Sequence, residues 1–257
     1  MKYLFTDTNL AARRLKYLAE VFAPSTQTFI SIVVEDPPQL VLDLGCGPGY
    51  TTHFLAGLTQ SKAIVGLDNS AHFISLAERT STAQVTFYRH DLTVVPFPKG
   101  PGDLLYARYL LTHLKDPPAI MDKWASQLQP GGLLLIEEVE WIQTANKVFR
   151  TYLEIVEAML ADQGNQLYLG ATLNRLEGTA HLKKRASQVR RVPVFNHQAA
   201  TLFYLNIQSW KHNDFVRANY TADMIVGLED ELKNLAMNTA RASEIEWGMR
   251  QLVFGRY

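Results

Sequence analysis

The run Asp43-Leu44-Gly45-Cys46-Gly47-Pro48-Gly49-Tyr50 places three glycines at every second position, directly after the apolar stretch Leu40-Val41-Leu42. Glycine removes the Cβ where a ligand must lie against backbone, and a strand turning into a helix aims its first helical N–H groups at whatever binds there. The spacing predicts a nucleotide-like ligand and narrows its kind. A dinucleotide fingerprint places glycine first, third and sixth. Here the fifth place is Gly49 and the sixth is Tyr50. Asp43, two residues ahead of the first glycine, repels a pyrophosphate and attracts a cation such as an amino group. A cationic, phosphate-free adenosine derivative suits this turn best.

In its full wording, Val41-Leu42-Asp43-Leu44-Gly45-Cys46-Gly47-Pro48-Gly49, the run resembles motif I of the class I S-adenosylmethionine-dependent methyltransferases, and the likeness extends over residues 36–140. Further anchors carry it. Asp68 in Gly66-Leu67-Asp68-Asn69-Ser70 matches the acid that holds the ribose hydroxyls in the family, and it follows Gly45 by about the 20 residues such an acid requires. Asp91-Leu92 matches the adenine contact, Asp91 toward the exocyclic amine and Leu92 through neighbouring backbone. The segment Leu105 to Pro117, with Leu128-Gln129-Pro130-Gly131-Gly132, resembles the small-molecule branch that includes ubiquinone and natural-product methyltransferases. The resemblance implies S-adenosyl-L-methionine as cofactor, no metal, and methyl transfer by in-line displacement to an oxygen, nitrogen or carbon of a small acceptor. It implies Asp43, Gly45, Cys46, Gly47, Gly49, Asp68, Asn69, Asp91, Leu92 and Arg108 as the cofactor set, with His113 as the candidate catalytic base.

Each of these residues also has a plainer reading. Asp68 is good capping chemistry for the helix expected from Ala71. Asp91 suits a turn. Cys46, the single cysteine, reads as a small loop residue and not a nucleophile. Arg108 either meets a carboxylate or is solvated, and His113 either takes a proton or packs structurally beside the next helix. Glu138, Trp141, His197, Trp210 and His212 are candidates for an acceptor pocket or, equally, ordinary core and surface residues. Two other functions remain: an NAD(P)-dependent oxidoreductase, disfavoured by Tyr50, and a cofactor-binding regulatory protein without chemistry.

The elements that must position these groups follow from apolar patterning. Short runs at Leu40–Leu44, Ala63–Leu67, Gln84–Tyr88, Leu104–Ala107 and Leu133–Ile136 read as strands buried on both faces. Between them lie helices from about Thr51 to Leu58, Ala71 to Arg79 and Ala119 to Leu128, the last closed by Gly131-Gly132. A first helix is expected from Asn9 to Phe22, stopped by Pro24, with Leu15, Leu18 and Phe22 inward and Arg13, Arg14, Lys16 and Glu20 outward. A capping helix is expected over Val148 to Leu160, then an extended piece at Gln188–Phe195, helices at Gln198–Arg217 and Ala222–Met237, and a closing strand at Ile245–Arg256. The basic runs Lys183-Lys184-Arg185 and Arg190-Arg191 read as a solvated face.

The expected architecture is a Rossmann-like, doubly wound α/β fold: a mostly parallel seven-stranded sheet with an antiparallel C-terminal edge and helical cap insertions. One domain is expected over 1–257, divided into an N-terminal helical lid (1–35), a cofactor core (36–140), a helical cap (141–182) and C-terminal strands and helices (183–257). Lys+Arg 25 balances Asp+Glu 25, leaving no field to hold a polyanion, so nucleic acid is not an expected partner. No apolar run is long enough for a membrane span. Met1 to Asp7 reaches an acid too early for a secretory signal. A cytoplasmic monomer or homodimer is the expectation.

Overall fold

The computed structural model describes residues 8–257; the expectation about Met1 to Asp7 lies outside these described residues. Helix α1 (Asn9–Val33) precedes alternating strands and helices: β1 (Leu40–Leu44), α2 (Tyr50–Thr59), β2 (Ala63–Asp68), α3 (Ala71–Glu78), β3 (Val85–Arg89), β4 (Gly102–Arg108), α4 (Pro117–Ala125) and β5 (Leu128–Thr144). There follow α5 (Lys147–Asp162), α6 (Leu169–Asn174), β6 (Leu182–Val194), α7 (Asn196–Trp210), α8 (Asp214–Asn219), α9 (Ala222–Met237) and β7 (Ile245–Arg256). The sheet runs β3-β2-β1-β4-β5-β7-β6. Strands β1 to β5 pair in parallel, while β7 is antiparallel to both β5 and β6. The direction of winding reverses between β1 and β4, and ligands of open α/β sheets bind outside the carboxyl ends of the strands at such a switch.

Alternate residues of each strand face opposite sides, so the sheet carries two cores. Val41, Ile64, Val85, Leu104 and Leu135 pack under Phe29, Ile30, Leu55 and Ile74 on one face. Leu42, Val65, Leu105 and Leu134 pack under Met121 and Trp124 on the other. A third core joins α5, α7 and α9 to Phe22, Trp247 and the partly buried Tyr109. It forms a cap on the long β5 and β7 ribbons.

Several element bounds differ from expectation. Helix α1 runs through Pro24 to Val33. The proline removes one N–H, a cost of about 3 kcal/mol inside a helix. Burial of Phe29 and Ile30, at 2% and 0% exposure, returns about 1.5–3 kcal/mol each. Strand β5 begins at Leu128, so helix α4 ends earlier and Gly131-Gly132 lies within the strand; β5 reaches Thr144 because β7 pairs with it over that length. Strand β6 starts at Leu182, which makes the basic runs part of an edge strand. Charged side chains there oppose edge-to-edge pairing. The expected helix from Gln198 to Arg217 is broken after Trp210, where Asn213 caps α8 through the Phe215 amide at 2.9 Å.

Among the described residues no helix is long and apolar enough to cross a membrane.

Candidate active site

The glycine run lies at the carboxyl end of β1, turning into α2. Gly45, Gly47 and Gly49 have φ of 72°, 53° and 88°, a left-handed region that side chains strongly disfavour. The loop is held by its own amides: Gly45 N–H and Cys46 N–H donate to the Leu67 carbonyl at 2.8 and 3.1 Å, and Gly49 N–H to Cys46 at 3.0 Å. A Cβ on Gly47 would meet Leu15 of α1 at 3.2 Å, and one on Gly49 would meet Phe87 of β3 at 2.7 Å. The glycines therefore serve both readings, a cradle and a seat for three neighbouring elements. Cys46 is buried in the turn, and burial first, then Asp43 and Asp68, push its thiol well above the usual range. It stays a protonated, unreactive thiol.

Two carboxylates border this cradle. Asp68, ending β2, accepts Gly47 N–H at 2.9 Å and Ser70 N–H at 2.8 Å. Asp43, in β1, is 2% exposed and accepts the Thr52 hydroxyl at 2.6 Å. Burial raises Asp43, and the nearby Asp68 raises it further, against the lowering effects of Thr52 and Arg108; the net result is about 7. A carboxyl so poised is readily ionised by an incoming cation and opposed to an incoming anion. The cradle and this acidic pair fit the adenosine and amino groups of S-adenosylmethionine.

Arg108, at the end of β4, reaches into the same space. Its guanidinium donates to Thr26 Oγ1 at 3.0 Å and Thr51 Oγ1 at 2.9 Å. Burial opposes its charge, but Tyr106, Glu137, Tyr109 and Asp43 outweigh that and hold it protonated. Beneath it Glu137, 1% exposed, accepts hydrogen bonds from Thr26 Oγ1 (2.7 Å), Tyr106 Oη (2.5 Å) and Gln251 Nε2 (2.8 Å). This network ties α1, β4, β5 and β7 together.

Asn69 is exposed, its carbonyl accepting Arg89 Nε at 3.0 Å. Asp91 and Leu92 follow β3 at the same edge of the sheet. The exposed Asp91 accepts Thr93 N–H and Oγ1 at 2.9 and 2.8 Å, which lowers its carboxyl. Leu92 is buried, its carbonyl taken by the Trp124 indole at 2.8 Å.

His113 ends a 3-10 turn (Leu111–His113) after β4. Glu138, 1% exposed, accepts the Leu110 and Leu111 amides at 2.8 and 2.7 Å and so fixes this turn. Burial pushes Glu138 up to about 7 despite those bonds. Burial, then the charge of Arg14, drops His113 to about 4. The imidazole is neutral at ordinary pH and a weak base, which favours a hydrogen-bonding role over proton abstraction from an alcohol.

Of the residues expected around an acceptor, Glu138 braces the post-β4 turn and Trp210 is fully buried in the cap core. Trp141 instead lies against Gly248, with the Arg191 guanidinium 5.5 Å from its ring centre. His212 is exposed, and His197 stacks on Phe195 at the start of α7. None of these three joins the cluster around His113.

Outside this set, two further polar side chains are buried. Arg14, expected on the outer face of α1, is 9% exposed. Its spacing from Leu18 and Phe22, one helical turn each, already placed it on their face. Tyr152 of α5 accepts the Asn206 amide of α7 at 2.5 Å and stacks on Phe203 with ring centres 4.0 Å apart.

The fold is that of the class I S-adenosylmethionine-dependent methyltransferases. A candidate methyltransferase from Bacillus halodurans C-125 superposes with a TM-score of 0.58 at 16% identity, covering 90% of this chain and 98% of that one. Residues 41–132, from β1 into β5, match the methyltransferase domain family. The chain is 33% identical over 127 residues to trans-aconitate 2-methyltransferase of Methylobacterium nodulans, covering 49% of this chain and 48% of that protein. It is 31% identical over 117 residues to phosphoethanolamine N-methyltransferase of Triticum aestivum, covering 44% and 23% respectively. The matched segment thus spans about half of the first relative and less of the second.

Proposed function

We propose that this protein is an S-adenosylmethionine-dependent methyltransferase acting on a small molecule. The observation that carries this reading is the pairing at the sheet's switch point of a left-handed glycine cradle, its Gly47 amide held by Asp68, with the buried carboxyl of Asp43. That pairing welcomes a cation and repels a pyrophosphate, which separates the reading from a nicotinamide-dependent one. Trans-aconitate and phosphoethanolamine, in the names of the relatives, are both small molecules.

Asp68 holds the ribose hydroxyls, with Asn69 beside it, and Asp91 and the Leu92 backbone face the adenine. Asp43, Gly45, Cys46, Gly47 and Gly49 line the methionine end, and Arg108 stands ready for its carboxylate. S-adenosylmethionine, when bound, supplies a methyl group made electrophilic by its positively charged sulfur. The chain's task is then positioning: alignment of donor and acceptor can supply on the order of 7–11 kcal/mol of the barrier. Helix α1, through Leu15 on Gly47, roofs the cradle and keeps water out. His113, neutral, orients the acceptor from the turn that Glu138 fixes.

Calorimetric titration with S-adenosylhomocysteine and, separately, NADH tests the assignment. Binding of the first alone is expected; binding of NADH alone would overturn it. Incubating the protein with metabolite extract and isotope-labelled donor then identifies the acceptor by the mass of its labelled product.

A further inference from the structure

Thr26 puts a hydroxyl on the inward face of α1. It is 0% exposed and lies about one turn before Phe29 and Ile30, which pack in the core under β1 and β2. A buried hydroxyl without a hydrogen bond is costly, and this one is used in both directions open to it. It donates to Glu137 Oε2 at 2.7 Å and accepts from Arg108 Nη1 at 3.0 Å. Glu137 is held in turn, since Tyr106 Oη and Gln251 Nε2 also donate to it. Thr26 therefore joins a fixed carboxylate to a guanidinium.

The other arm of that guanidinium is held as well. Arg108 Nη2 donates to Thr51 Oγ1 at 2.9 Å, and Thr51 is the second residue of α2, two places after Gly49. The next residue, Thr52, donates to Asp43 at 2.6 Å. Adjacent threonines on the first turn of α2 thus hold a cation and an acid, the complements of the carboxylate and the amino group of S-adenosylmethionine. Both hydrogen-bond partners of Arg108 are neutral hydroxyls. A guanidinium carries five N–H donors, so Nε and one hydrogen on each Nη are left over, on a side chain that is only half-buried. An arginine clamped at both arms has little rotamer freedom left to lose when it meets a carboxylate.

We propose that Thr26 is a positioning residue for the cofactor: anchored on Glu137, its hydroxyl aims the Arg108 guanidinium at the carboxylate of S-adenosylmethionine. The proposal rests on the methyltransferase reading. It brings α1 into the cofactor site through a residue that acts on Arg108 and not on the ligand itself.

The test titrates the full chain calorimetrically with S-adenosylmethionine and with decarboxylated S-adenosylmethionine, which keeps the adenosine, sulfonium and amine and lacks only the carboxylate. The unaltered protein is expected to bind the decarboxylated compound about tenfold more weakly, as loss of a charge-assisted contact requires. Thr26→Val nearly keeps the side-chain shape and removes the hydroxyl. It is expected to weaken S-adenosylmethionine about fivefold, the worth of one hydrogen bond, and to leave the decarboxylated compound within about twofold. Thr26→Ser, which keeps the hydroxyl, should retain the preference of the unaltered protein. Arg108→Gln is expected to abolish that preference, and Thr26→Val added to it to cause no further loss. Thr51→Val, which frees the other arm, should show the same selective loss and serves if Thr26→Val does not fold. A variant of either threonine that loses both compounds alike would mean a merely structural hydroxyl and overturn the proposal, as would one that loses neither. Equal affinity of the unaltered protein for the two compounds would overturn it as well, because Arg108 would then not meet the carboxylate. Failure of both compounds to bind the unaltered protein is a separate outcome that removes the methyltransferase reading itself.

Discussion

Asp68 at the end of β2 accepts the amide hydrogen of Gly47, 21 positions earlier in the chain, at 2.9 Å. The acid proposed to hold the ribose is thereby also the strut that sets the loop, so under that proposal cofactor binding and loop shape are coupled through one carboxylate. Asp68→Ala removes both functions; Asp68→Asn keeps an acceptor oxygen but loses the charge. We expect a loss in S-adenosylhomocysteine affinity of tenfold or more for the alanine variant and a smaller loss for the asparagine variant. Faster amide exchange at Gly47 is expected in the alanine variant alone. Equal exchange in both would show that the strut is unimportant. The stability cost of losing the bond is about 1 kcal/mol.

A second prediction concerns pH. Asp43 sits at about 7 in the folded chain against an ordinary 3.8. Between those values the folded protein binds more protons than the unfolded one. Asp43 therefore contributes stability at low pH that is lost as pH rises through about 7. A cationic ligand reverses the demand, because it needs the ionised carboxylate. Affinity for S-adenosylhomocysteine, whose amino group stays charged, should rise as pH increases from about 6 to about 8. The rise should be much smaller in Asp43→Asn. Glu138, also pushed up to about 7, remains in both proteins, so the difference between their calorimetric pH profiles isolates Asp43.

How much of this was readable in the chain depends on how local the cause is. The glycine cradle and Asp68 were readable because residue type alone dictates a left-handed turn, and a fixed spacing puts the acid at the neighbouring strand's end. The five parallel strands were readable because burial on both faces leaves uninterrupted apolar runs. The reach of β5 to Thr144 was not, since it depends on β7, whose Ile245 pairs with Thr144 from 101 positions away. Glu137 was hidden for a related reason: its partners Thr26, Tyr106 and Gln251 come from three distant segments. Arg14 was obscured by its charged neighbours Arg13 and Lys16, although its helical phase with Leu18 and Phe22 was in plain view.

The Glu137 network makes a stability prediction distinct from any effect on binding. Its carboxylate is buried with three donors and is linked to Arg108 through the shared Thr26 hydroxyl. Glu137→Ala leaves those donors facing a void and removes one of the charges that hold the guanidinium protonated. Removing one partner of a buried charged group typically costs about 3–5 kcal/mol. Urea unfolding should show that loss as a lower midpoint with an unchanged slope. A shift of under about 1 kcal/mol would mean that Thr26 and Tyr106 find water instead.

Two glycines of opposite circumstance supply the last prediction. Gly49 caps α2 with φ of 88°, and a Cβ there would sit 2.7 Å from Phe87 and 3.3 Å from Ala77. Gly227 lies in α9, exposed, with nothing within 4 Å of an added Cβ. Gly49→Ala meets both a left-handed penalty of about 1–2 kcal/mol and a ring that must move. It is therefore expected to destabilise the protein and to weaken S-adenosylhomocysteine, because Phe87 and the loop shift together. Gly227→Ala meets neither obstacle and gains helix propensity, so it should stabilise by up to about 1 kcal/mol with ligand affinity unchanged. Thermal unfolding with and without S-adenosylhomocysteine separates the two effects: a ligand-induced rise retained in Gly227→Ala and diminished in Gly49→Ala ties the cradle to binding. The same ligand-induced rise in both variants would mean that the left-handed turn serves packing alone.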